Sequence, residues 1–300
     1  MTTAIIVAKL ETKAESAKPA GRLSVVATPI GNLGDISARA REVLAACDTV
    51  AAEDTRNTRN LLRHFGIDRP MVSLHDHNER ERARDLIARM QAGAHVALVS
   101  DAGTPAISDP GYLLVRDAGE AGIEVVAIPG ACAAIAALSI AGLPTDRFCF
   151  EGFLPAQAAA RRACLGLLAA ETRTLVFYEA PHRIAETLEA SVQAFGGERA
   201  AVVAREITKR FETVYRGPLR DLQRMALNLA DVSRGETVLI VAGAAPRADQ
   251  GEKAAELDRV LKILLADLPV KQAAHLAAKI ANARDNESYR RALQLKDSVK

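Results

Sequence analysis

Apolar residues in this chain alternate between short β-branched runs and longer stretches with helical spacing. Leu23 to Thr28, Thr49 to Ala52, Val96 to Val99 and Glu124 to Ile128 read as strands, with a shorter one at Val72-Ser73-Leu74. Ser37 to Ala46, Asn57 to Phe65, Glu79 to Gln91, Tyr112 to Ala121 and Ala133 to Ala141 read as helices. Ser37 or Asp35 caps the first, and Gly66, Gly93 and Gly122 stand where others stop. Strands that alternate with helices predict a largely parallel α/β sheet.

The pattern shifts near Pro144-Thr145. Phe148-Cys149-Phe150 and a turn at Gly152-Phe153-Leu154-Pro155 open a second unit. It continues with strands at Thr174 to Tyr178, Ala200 to Ala204, Phe211 to Arg216 and Thr237 to Val241. Helices are expected at Gln157 to Ala170, after Pro181-His182-Arg183, and at Leu219 to Asn228, with more antiparallel pairing than before. Ala245 to Gly251 reads as a linker. Three short helices follow, Leu257 to Leu265, Pro269 to Ala283 and Asn286 or Ser288 to Leu295; they fit a helix-turn-helix module or, equally, a helical lid or dimer arm. The expected fold class is α/β, organised as a loose tail (1–21), α/β domains over 22–143 and 144–245 with a cleft between them, and a small helical module over 252–300.

Composition narrows the class. A chain of 300 residues, 49% hydrophobic and 25% charged, is ordinary for a globular protein and too long for one small core. No apolar run approaches the roughly 18 residues of a membrane span. Residues 1–21 are too weakly apolar for a signal peptide, so a cytoplasmic protein is expected. Cys47, Cys132, Cys149 and Cys164 lack metal-site spacing and read as buried thiols of a reducing compartment. The net charge is only +2, but residues 252–300 hold ten Lys/Arg against seven Asp/Glu, which suits a tail that meets phosphates.

The chemistry sits in loops. There is no G-x-G-x-x-G and no Walker loop. Instead Thr28-Pro29-Ile30-Gly31-Asn32, Ser100 to Gly111, Ile128-Pro129-Gly130-Ala131 and Tyr178-Glu179-Ala180-Pro181-His182 each follow a strand, where open α/β sheets place ligands. The Ser100–Gly111 run, with two acids, two prolines and two glycines, reads as a preformed small-molecule pocket or as a tight turn capped by Asp109.

These loops resemble those of the tetrapyrrole-methylase superfamily of S-adenosylmethionine-dependent methyltransferases, and within it the branch that acts on small-subunit ribosomal RNA. The resemblance rests on Ala27 to Leu33, Ala52-Glu53-Asp54-Thr55-Arg56, Ser100 to Gly111, Phe150 to Pro155, Tyr178 to Arg183 and Ala204 to Lys209. It departs at Gln157 and Ala242, where members often carry Lys and Glu. It implies S-adenosylmethionine as cofactor, 2′-O-methylation of a decoding-region cytidine in 16S rRNA, and a homodimer; no metal and no membrane are expected. Cofactor contacts are expected from Pro29, Gly31, Ser100, Asp101, Ala102, Gly103, Thr104, Ile107, Ser108, Pro129, Gly130, Ala131, Tyr178 and Glu179. Glu53 and Asp54 are the candidate bases, or else cap the next helix or pair with Arg56 or Arg59. Arg56, His182, Arg183, Arg205, Lys209 and Arg210 are candidate RNA contacts, or a solvated face. His75 and His77 could meet a metal or RNA, or only solvent. With aromatics at 4% and no Trp, base stacking falls to Phe153, Tyr178 or Phe211. Two other functions fit the same residues: a methyltransferase of the same fold acting on a tetrapyrrole or other small molecule, and a non-enzymatic ribosome-assembly protein.

Overall fold

A computed structural model describes residues 21–228, 235–245 and 250–297. The expected N-terminal tail, apart from Gly21, and most of the expected linker lie outside the described residues.

The first sheet is parallel throughout, in the order β3-β2-β4-β1-β5: β1 (Arg22–Val26), β2 (Thr49–Ala52), β3 (Met71–Ser73), β4 (His95–Val99) and β5 (Glu124–Ile128). Alternation along β4 sorts the core into two layers. Val96 and Leu98 pack with Leu86 and Met90 of α3 (Glu79–Gln91) and Leu114 and Ala118 of α4 (Tyr112–Glu120). Ala97 and Val99 pack with Ala40 and Leu44 of α1 (Ala38–Ala46) and Leu62 of α2 (Thr55–His64). The chain moves outward through β1, β2 and β3 on the α1/α2 face and returns through β4 to β5 on the α3/α4 face. This reversal leaves a crevice at the C-terminal ends of β1 and β4.

The second sheet has the order β6-β7-β10-β8-β9: β6 (Phe148–Phe153), β7 (Thr174–Glu179), β8 (Ala200–Arg205), β9 (Thr213–Pro218) and β10 (Thr237–Val241). Only β6 and β7 pair in parallel; the other pairs are antiparallel, as the sequence predicts. One face packs on α6 (Ala158–Leu167), α7 (Ile184–Phe195) and α8 (Leu219–Asn228) through Leu165, Leu188 and Leu222. The other packs on α5 (Ala133–Ala141) through Ala134, Ala137 and Leu138, and takes in Ile30 from the loop after β1. A shared core therefore joins the sheets, and both lie in one compact unit that ends at Ala242.

Three local readings need correction. Gly152-Phe153 is not a turn: β6 runs to Phe153 through a bulge between Phe150 and Gly152. β9 begins at Thr213 rather than Phe211, because Glu206 to Glu212 is spent in turns, with Glu206 and Thr208 at positive φ. The first C-terminal helix is longer than read, α9 (Gln250–Asp267), and with α10 (Val270–Ile280) and α11 (Asp285–Asp297) it belongs to a second unit. There Leu257, Leu261, Ala274, Ala277 and Ala292 form a small core, and Arg291 grips Asp258 through two bonds of 2.6 Å. No helix among the described residues is long and apolar enough to cross a membrane.

Candidate active site

The loop after β4 is held from three directions. Thr28 and Gly103 exchange backbone bonds of 2.8 and 3.1 Å, stitching the β1 loop to it, and the Thr28 hydroxyl donates to the Ser100 carbonyl at 3.3 Å. The Thr104 hydroxyl donates to the Ala131 carbonyl at 3.0 Å, adding the loop after β5. Gly111 sits at φ +129°, and a Cβ there would stand 2.7 Å from Leu98 Cδ2. Ala106 and Ser108 adopt left-handed backbone without glycine's freedom, at about 1–2 kcal/mol each.

The alternative reading of this loop, a turn capped by Asp109, is not what holds the next helix. Gly111 occupies the N-cap of α4 and has no side chain to offer. The buried carboxylate of Glu79 reaches across from α3 and accepts from the backbone N–H groups of Gly111 (3.0 Å), Leu113 (2.8 Å) and Leu114 (3.4 Å). A charge at a helix N-terminus meets both the orphan donors and the helix dipole.

These loops face the C-terminal edge of β7 and the start of β10 across a cavity of about 390 Å³. Among the described residues its walls carry five carboxyl side chains, Glu53, Asp101, Asp109, Glu179 and Glu236, and no lysine or arginine. Asp101 is fixed by the backbone N–H of Asp54 (3.0 Å) and the Asn57 amide (2.8 Å), while its own N–H donates to Glu53 at 3.3 Å. Burial pushes the Glu53 carboxyl up, an effect the Asp101 N–H opposes and neighbouring acids reinforce. Asp109 is pushed up to about 6, chiefly by burial, with the Ser100 hydroxyl acting against and Glu53, Asp101 and Asp76 acting with it. Two of the five meet a basic side chain: Glu179 accepts from Thr187 Oγ1 at 2.5 Å and pairs with Arg183 at 3.2 Å, and Glu236 pairs with Lys209 at 3.3 Å.

The remaining wall is mostly apolar: Ile30, Ile107, Cys132, Ala133, Phe153, Ile207 and Val238, with Tyr178. The Tyr178 hydroxyl accepts from Ala134 N at 3.2 Å, and burial pushes its pKa up. Thr237 is 4% exposed on this wall, and its hydroxyl has no partner among the described residues.

Of the expected cofactor contacts, Asp101, Ala102, Gly103, Thr104, Ile107, Tyr178 and Glu179 line the cavity, and Glu53 joins them. The cavity wall does not include Pro29, Gly31, Ser100, Ser108, Pro129, Gly130 or Ala131. Several of these shape its surroundings. Gly130 lets the backbone close on Ala27, where a Cβ would stand at 2.9 Å, and Gly31 lies against the Lys209 stem. Asp54 takes the capping role: it accepts from Arg56 N at 2.7 Å. Among the basic residues, Arg56, His182 and Arg210 are exposed, and Arg210 stacks on Phe211 at 5.6 Å. Arg205 is partly exposed at the end of β8. Arg183 turns inward to Glu179 and to the Leu154 and Pro155 carbonyls at 2.6 and 3.2 Å. Lys209 bridges Glu206 (3.0 Å) and Glu236 (3.3 Å); burial disfavours its charge, but the two acids outweigh that and raise its pKa. Sequence reasoning did not place Asp109, Glu236 or Thr237 in the site. Asp109 had a signal in its loop; Thr237, one hydroxyl opening an apolar strand, had none.

Removing the Thr237 hydroxyl tests whether it waits for a ligand. Thr237→Val is expected to leave the melting temperature unchanged or raised, because an unsatisfied buried hydroxyl is lost. Affinity for S-adenosylhomocysteine in calorimetry is expected to fall about tenfold. An unchanged affinity would remove Thr237 from the site.

Comparison with known proteins adds to this geometry. Residues 22–223 match the family model of tetrapyrrole (corrin/porphyrin) methylases, and residues 251–296 match that of the RsmI C-terminal HTH domain. The chain is 56% identical over 277 residues to ribosomal RNA small subunit methyltransferase I of Pseudomonas aeruginosa, covering 92% of this chain and 98% of that protein. It is 52% identical over 274 residues to the protein of that name from Escherichia coli O157:H7, covering 91% and 95%. Among solved structures, a uroporphyrin-III C-methyltransferase of Thermus thermophilus complexed with S-adenyl homocysteine shares the fold at TM-score 0.51 and 18% identity, covering 74% of this chain and 97% of that one.

Proposed function

The chain belongs to the tetrapyrrole methylase family, and from that premise we propose that it transfers a methyl group from S-adenosylmethionine to ribosomal RNA of the small subunit. The acceptor is the ribose 2′-oxygen of a cytidine in the decoding region. One observation carries the reading: over nine tenths of the chain matches a protein named for small-subunit ribosomal RNA methylation. The cavity fits the donor. Glu53, Asp101 and Asp109, which form no ion pair among the described residues, suit an organic cation, Ile30, Ile207 and Val238 suit an adenine, and the Thr237 hydroxyl suits a polar edge.

When bound, S-adenosylmethionine supplies an electrophilic methyl group on a cationic sulfur. The protein's share is alignment and proton removal. Loops stitched at Thr28–Gly103 and Thr104–Ala131 hold the acceptor and donor sides at fixed spacing, which lowers the entropic part of the barrier. A ribose hydroxyl is a weak nucleophile, so Asp109, with Glu53 beside it, takes its proton. Asp101 contributes field and is itself positioned by α2.

Arg56, His182, Arg205 and Arg210 contact the RNA, and the helices of 252–300 add basic grip. Lys209 and Arg183 position the acids they pair with. The domains follow the boundaries 22–143, 144–245 and 252–300. The protein works in the cytoplasm as a homodimer, a reading supported by exposed apolar residues at edge strand β5 and on α5, Val125 and Ile135.

Mass spectrometry of 16S rRNA nucleosides from a strain lacking this chain tests the reading. Loss of one 2′-O-methylcytidine is expected, restored by the intact protein and not by Asp101→Ala. An unchanged methylation profile would refute it. Loss of subunit binding on removing 252–300, with cofactor affinity kept, would support the role given to the tail; unchanged subunit affinity would contradict it.

A further inference from the structure

The bulge in β6 has a directional effect. Phe150 pairs with Val176, Gly152 with Phe177 and Phe153 with Tyr178. In an unbroken strand, residues three apart face opposite ways. The extra residue, Glu151, resets the alternation, so Phe150 and Phe153 share the face of Val176 and Tyr178. Gly152 allows this at φ +64°, and a Cβ on it would stand 3.1 Å from Ser108 Oγ. The bulge thus also seats the loop that carries Asp109.

The result is a row of three rings. Phe150 and Phe153 each meet Tyr178 edge-on, at 4.9 and 5.6 Å between centroids. Phe150 and Tyr178 are half-buried, whereas Phe153 is 57% exposed and lines the cavity. Among the described residues, the other exposed aromatics are Tyr112, Phe148, Phe211 and Tyr289, and none lines the cavity. Tyr112 and Phe211 also have a guanidinium over the ring, at 5.8 and 5.6 Å. Phe153 therefore presents an aromatic surface beside the acids of the site, held by a bulge rather than by burial.

Resting on the methyltransferase reading above, we propose that the Phe153 ring is the stacking platform for the nucleobase whose ribose is methylated. A ribose can enter a cavity of this size only if its base leaves the neighbouring stack, and a flat aromatic side chain replaces the interaction lost. Tyr178, braced by Ala134 N and Phe150, fixes the plate from behind. Stacking of this kind orients the nucleotide without reading its sequence.

The experiment uses the full-length protein, small subunits from a strain lacking it as acceptor, and S-adenosylhomocysteine as the cofactor probe. Phe153→Ala is expected to raise KM for subunits about tenfold, with kcat and the dissociation constant for S-adenosylhomocysteine within about twofold of wild type. Phe153→Leu keeps bulk without a flat ring and is expected to behave like Phe153→Ala, while Phe153→Trp retains wild-type KM. If S-adenosylhomocysteine binding weakens tenfold and KM for subunits holds, the ring serves the cofactor and the proposal fails. If neither constant moves, or Leu substitutes fully for Phe, it also fails. A wild-type protein that transfers no methyl to subunits defeats the methyltransferase reading itself, and the stacking role with it.

Discussion

Asp109→Asn is expected to lower methyl transfer about 10²- to 10⁴-fold while the protein melts at the same temperature or higher at pH 8. Asn keeps the size and one acceptor oxygen but cannot take a proton. The wild-type carboxyl is pushed up to about 6, first by burial and then by Glu53, Asp101 and Asp76. Its folded-state pKa therefore lies above the ordinary value of 3.8. The folded state binds the proton more tightly than the unfolded chain does, so this group's favourable contribution is fully present below pH 3.8 and lost as pH rises through about 6. At pH 8 the ionised carboxylate opposes folding, and the neutral amide relieves that. The same proton sets the pH dependence: kcat/KM of the wild type is expected to fall as pH drops through about 6, with a plateau above. Methyl transfer to subunits and thermal melts at pH 5 and pH 8 read both effects. An Asp109→Asn protein that is fully active, or that melts well below wild type at pH 8, would make the residue structural.

Glu79→Ala carries the second large effect, on stability. Three N–H groups at the start of α4 lose their acceptor together, and the site is too closed for water to replace it fully. The expected loss is about 3 kcal/mol, or roughly 6–12 °C in melting temperature for a unit of this size. Glu79→Gln retains an acceptor oxygen and loses only the charge facing the helix dipole, so its loss is about 1 kcal/mol. Calorimetric melts of the two variants give the order. Equal melting of Glu79→Ala and wild type would show that the cap contributes nothing. Because the cap holds Gly111, Glu79→Ala is also expected to disturb the Asp109 loop and reduce activity at temperatures where the fold persists.

Most elements were legible because the signals that set them are local. The ranges read for Thr49–Ala52, Glu79–Gln91, Glu124–Ile128, Ala133–Ala141, Leu219–Asn228 and Thr237–Val241 coincide with those in the structure. β-branched runs, helical periodicity and stop glycines act within a few residues. The 148–155 segment was misread because Gly152 and Pro155 punctuate it like a turn, whereas pairing with β7 carries the strand through a bulge. Glu79 is read from the sequence only as the start of a helix; the packing of α3 beside α4 aims it at another helix.

The order of amino acids alone settled the α/β alternation, the four strand-end loops and their acidic, glycine-rich character, since each depends on neighbours along the chain. The fold decided which of those groups meet. It gave Asp109 its raised pKa and Arg183 and Lys209 their inward partners. It also left the Thr237 hydroxyl without a partner among the described residues and turned Phe153 toward the cavity. A group's desolvation and its partners are set by residues far away in sequence, and only convergence of both sheets on one cavity supplies them.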